Sequence, residues 1–113
     1  MTLQEIFTKV KAHLLTQNTQ SVDSGSNCCY RGPDGLMCAV GCLIPDALYS
    51  PSLESRVATS AALQPALRAA GLLDEPGALH LLSDLQAVHD KSPASFWPDE
   101  LAQVAAAHRL EDV

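Results

Sequence analysis

Residues 28–46, CCYRGPDGLMCAVGCLIPD, hold all four cysteines of the chain and its sharpest change of pattern. Cys29-Tyr30-Arg31 and Leu36-Met37-Cys38 flank Gly32-Pro33-Asp34-Gly35. Proline presets φ at the second position of a turn and Asp-Gly tolerates left-handed backbone, so this spacing predicts a short β-hairpin. A two-stranded hairpin is marginal alone and has to lie against other elements. From Cys38 the spacing turns helical, with Val40, Leu43 and Ile44 on one side and the small Ala39 and Gly41 on another. Pro45 stops that helix, because its ring disfavours helical geometry at the residue before it.

Helices are expected on both sides of this stretch. Thr2 and Glu5 have capping-box spacing, and Leu3, Ile6, Phe7, Val10 and Leu14 then form one face of a helix ending near Gln17. Residues 18–27, NTQSVDSGSN, read as a polar loop and as the most mobile segment. Ser50-Pro51 starts a short helix that turns Leu53 and Val57 inward, and Gln64-Pro65 starts another, closed by Gly71. Asp74 is expected to cap a longer helix with Ala78, Leu81, Leu82, Leu85 and Val88 on its buried stripe. After a turn at Ser92–Ser95, Pro98-Asp99-Glu100 opens the last helix, and His108 and Arg109 lie near its end. The expected fold is α+β and mostly helical. It has about five helices around one Leu/Ala core, with a two-stranded β-hairpin after the first helix. Residues 1–113 form a single domain, long enough to bury roughly 65% of its unfolded surface.

Composition narrows the function. The net charge is −6, and the seven basic residues are scattered along the sequence. Phosphate-backbone binding needs a basic patch, so nucleic acid is not an expected partner. Aromatic residues make up 4% of the chain, too few for a base-stacking platform. No apolar run approaches the ~18 residues of a membrane span, so no membrane association is expected. Charges run through MTLQEIFTKVKAHLL, which reads as an amphipathic helix rather than a secretion signal. A cytoplasmic location is therefore expected, where thiols stay reduced.

Tyr30–Leu36 (YRGPDGL), Cys38–Gly41 (CAVG) and Leu43–Asp46 (LIPD) together resemble a family of small proteins of tailed-phage and prophage genomes. The opening TLQEIFTKVKAHLL, the Leu85–Asp90 segment (LQAVHD) and the late Trp97 extend that resemblance over most of the chain. It implies a phage or prophage origin, and hence a bacterial host cell, but it brings no activity. Small phage proteins of this kind are often accessory factors that act on host machinery or defence systems.

Several constellations carry chemistry. Cys28, Cys29, Cys38 and Cys42 are candidate zinc ligands, joined by a histidine such as His80 or His89. Adjacent side chains on a strand point to opposite faces, which counts against Cys28 and Cys29 ligating together. Buried packing is the simpler reading. Cys38 at a helix N-terminus would have a lowered pKa and, beside His13, His80, His89 or His108, is the candidate catalytic nucleophile. His89-Asp90 has the form of a metal-binding HD pair, but only His80 and Asp99 are at hand to complete it. Arg31 and Asp34 project from the preset turn beside Tyr30 as candidate binding residues. Their simpler role is geometric, with Arg31 pairing to Asp34 or Asp46.

The leading expectation is a non-enzymatic accessory protein that binds a host or phage macromolecule, most simply a protein, and counteracts host defence. The alternative is a small-molecule binder that sequesters a nucleotide, with Arg31 on phosphate and Tyr30 or Trp97 stacked on the base. A thiol enzyme using Cys38 is the third. The sequence is silent on oligomeric state.

Overall fold

The computed structural model describes all residues 1–113, and it is 54% helical with no strand or sheet. Four α-helices carry the fold: α1 (Leu3–Gln17), α2 (Gln64–Ala69), α3 (Ala78–Lys91) and α4 (Trp97–Ala107). Short 3-10 turns at Pro33–Gly35, Gly41–Leu43, Asp46–Leu48, Pro51–Leu53 and Ala94–Phe96 punctuate the rest. α1, α3 and α4 pack on one another, and the Gly41–Leu43 turn closes on α1. The shortest dimension is 19 Å, about two helix layers.

α1 follows its sequence signal. Thr2 and Glu5 form the reciprocal capping box, and Ile6, Phe7, Val10 and Leu14 are buried. α2 has Pro65 in its first turn. It ends with Gly71 at φ +74, whose N–H donates to Arg68 while Leu72 N–H donates to Leu67. That pair of bonds is a Schellman closure. α3 buries Ala78, Leu81, Leu82, Leu85 and Val88, as its periodicity requires, and α4 buries Trp97, Leu101 and Ala105.

The α+β expectation is overturned. No hairpin exists, and there are four α-helices rather than five. All that remains of the hairpin is one isolated antiparallel bridge between Arg31 and Met37. The turn forms, with Asp34 at φ 58 and Gly35 at φ 75, but side chains take the backbone groups that a ladder would pair. Tyr30 and Arg31 N–H donate to the two carboxylate oxygens of Glu54, at 2.8 and 3.1 Å. Met37 N–H donates to Gln17 Oε1, while Met37 O takes bonds from Gln17 Nε2 and His13 Nε2. The segment is thus tied to α1 and to Glu54 rather than to itself.

Three further expectations are corrected. The Cys38 helix is only a 3-10 turn, Gly41–Leu43, since Pro45 follows too soon for a second turn to form. The Ser50-Pro51 helix is likewise a single 3-10 turn, and Val57 beyond it points out, 69% exposed. Asp74 does not cap α3. It pairs with the Met1 ammonium at 3.1 Å, and Gly77 (φ +86) occupies the N-cap position. The polar loop is tied to α3 through Gln20 and Ser21, which donate to His89 O and His89 Nε2. Asp23 accepts bonds from Gly25 and Asn27, and Ser21 is fully buried.

Candidate functional site

From Ser83 onward, α3 presents Ser83, Gln86, Ala87 and Asp90 on one face, at helical spacing. Opposite them lie Ser55–Ala58 on one wall and Cys28 and Tyr30 on another, with Lys91 at the rim. Together they line a cavity of about 290 Å³. The loop wall exists because Pro51–Leu53 and the left-handed Ser55 (φ 60) turn the chain back toward α3.

A chain of hydrogen bonds fixes the floor. Val40 N–H donates to Gln86 Oε1 at 3.0 Å, and Gln86 Nε2 donates to Asp90 Oδ1 at 2.8 Å. His89 Nδ1 meets the same carboxylate oxygen at 2.7 Å, and its Nε2 accepts Ser21 N–H at 2.9 Å. A ring nitrogen that accepts a backbone N–H carries no proton, so the imidazole proton sits on Nδ1 and is donated to Asp90. His89 has no exposed surface and stacks on Trp97, with centroids 5.7 Å apart. Trp97 Nε1 donates to Ser92 O. The far wall is equally fixed. Tyr30 donates its hydroxyl to Arg56 O, and the Tyr49 hydroxyl donates to Glu54 at 2.6 Å.

The thiols in and around this cavity are shifted away from the reactive thiolate form. Burial, and after it the charge of Asp90, pushes the Cys28 thiol up to about 11. Cys38 is fully buried, and burial raises its pKa further, against the lowering effect of the Gly41 N–H that bonds its sulfur. Cys29 and Cys42 are also shifted up, first by burial. None of the four thiols is poised as a thiolate at neutral pH.

The structure scatters the residues singled out from the sequence. Trp97 is wholly buried, and Tyr30 is 4% exposed, reached only from the cavity that it lines. Arg31 is engaged with Asp46 at 2.6 Å and Ile44 O at 2.6 Å, and its guanidinium lies over the Tyr49 ring. Asp34 stands exposed on the turn, away from that network. The four cysteines do not converge. Groups of three potential metal ligands within 4.8 Å occur at Cys28–His89–Asp90 and at His80–Asp84–His108. The first fits an ion poorly, because both nitrogens of His89 are already committed. Asp99 belongs to neither group, so the HD reading has no completed ligand set.

Sequence reasoning passed over Gln86 and Glu54, which hold the site together. Gln86 carried a readable signal, a polar residue four after Leu82 on an apolar stripe. Glu54 carried none. No helix is long and apolar enough to cross a membrane. Compared with known proteins, the chain matches no family model, no curated protein and no solved structure.

Proposed function

We propose that the protein is a non-enzymatic accessory factor, of the phage or prophage kind that its central motif resembles. In this reading it binds a protein partner of the host by seating one acidic side chain of that partner, flanked by apolar ones, in the cavity beside α3. The observation that carries this reading is the cavity rim. Arg56 and Lys91, two of only seven basic residues in a chain of net charge −6, line it with a single carboxylate, Asp90, and with Val57 at 69% exposure. Local positive charge on an acidic protein steers an acidic partner, and an exposed apolar side chain next to it supplies contact area. Size favours a protein over a nucleotide. A volume of about 290 Å³ falls at the bottom of the range of ligand pockets and suits an inserted side chain. Of the two rings that would hold a base, Trp97 lies inside the core and Tyr30 is only 4% exposed.

The test is native mass spectrometry of the protein purified gently from a bacterial host, in three forms. The wild type should carry a second polypeptide. Arg56→Glu/Lys91→Glu should lose it at unchanged melting temperature, and Arg31→Ala/Asp34→Ala should retain it. A partner kept by the rim variant and lost by the turn variant would move the site to the Gly32–Gly35 turn. A bare chain mass in all three would remove the binding reading.

A further inference from the structure

On the other side of α3, His80 and Asp84 stand one helical turn apart, and His108 reaches them from the end of α4. We infer that His80 Nε2, Asp84 Oδ2 and His108 Nε2 form a binding site for a divalent transition-metal ion, zinc in the first instance.

Three observations carry this. The donors converge: His108 Nε2 lies 2.7 Å and His80 Nε2 3.4 Å from the same Asp84 oxygen. Donors bound to tetrahedral zinc stand about 3.3 Å apart, so His80 is already at ligand spacing and His108 needs to open by about half an ångström. The backbone holds the site in advance. His108 ends α4, where Arg109 is left-handed (φ 56) and Leu110 N–H donates back to Ala105 at 2.8 Å, so its ring is presented to α3 at 9% exposure. No fixed cation pairs with the carboxylate. The ion-pair partners of Asp84 are these two imidazoles, with no lysine or arginine among them.

The donor set selects the ion. Two imidazole nitrogens and one carboxylate suit zinc and its transition-metal neighbours rather than calcium or magnesium, which prefer all-oxygen sites. Three protein ligands leave a fourth position for water, and His80, 75% exposed, keeps the site open to solvent. An ion here would clamp α3 to the end of α4. The cysteines take no part, since none belongs to this group.

The experiment is zinc titration of the metal-free protein by calorimetry, with cobalt absorption to identify the ligands. One zinc per chain at micromolar affinity is expected. The exposed His80→Ala should weaken it by ~10-fold or more, while Cys28→Ser/Cys29→Ser should leave it unchanged. Cobalt should give visible d–d bands without a thiolate-to-metal charge-transfer band. No binding at submillimolar zinc would overturn the site. So would binding that survives His80→Ala but is lost in the cysteine variant.

Discussion

Glu54 shows how one side chain can replace a strand. Its two carboxylate oxygens accept the N–H groups of Tyr30 and Arg31 and the hydroxyl of Tyr49. Glu54→Ala would leave three donors without a partner in a half-buried place. Each unsatisfied buried group costs ~1–3 kcal/mol, so a loss of at least ~2 kcal/mol is expected in urea denaturation, with Glu54→Gln intermediate. An unchanged midpoint for the alanine variant would mean that water replaces the carboxylate at no cost. Arg31 is a weaker support. Its partner Asp46 has a 96% exposed side chain, and ion pairs in that setting contribute little.

Among the elements, two glycines separate two kinds of constraint. At Gly41 an added Cβ would overlap the carbonyl oxygen of Tyr30, because the 3-10 turn and the Cys28–Tyr30 segment touch backbone to backbone. Gly41→Ala must push these two segments apart, at a cost of ~1–3 kcal/mol or more. At Gly71 there is room for a methyl group but φ is +74, so Gly71→Ala costs only the left-handed penalty of ~1 kcal/mol. Thermal unfolding of the two variants should rank them in that order. The Gly71 closure was legible beforehand, since Gln64-Pro65 and Gly71 bracket a helix using neighbours alone. The contact at Gly41 was not legible, because it joins residues eleven positions apart through space.

For the whole molecule, the thiols give stability a direction in pH. Folding raises Cys28 from an ordinary value of 9.0 to about 11, and Cys42 to about 12. Burial is the main cause for both. A group whose folded pKa is raised stabilises the fold fully below its unfolded value, and the contribution is lost as pH climbs through the folded value. Stability should therefore decline from about pH 9 toward pH 12, and Cys28→Ser should flatten the first part of the fall. Denaturant midpoints measured across that window check this, and a flat profile would mean that the thiols are no more buried than in the unfolded chain. Iodoacetamide should correspondingly label Cys28 more slowly than free cysteine at neutral pH.

The elements that rest on near neighbours can be read directly from the order of residues. These are the capping box of α1, the apolar stripes of α1, α3 and α4, the closure of α2, and the left-handed turn at Asp34-Gly35. Propensity, periodicity and turn chemistry act over a few residues and can be read in order along the chain. Tertiary structure alone decided whether that turn would head a hairpin. The outcome depended on Gln17, His13 and Glu54 reaching the backbone of residues 30–37 from 20 to 24 positions away. The same holds for the two clusters proposed as sites. Cys28 meets Asp90 across 62 positions, and Asp84 meets His108 across 24. No spacing rule connects such residues, because a helical or extended period relates only those on one element.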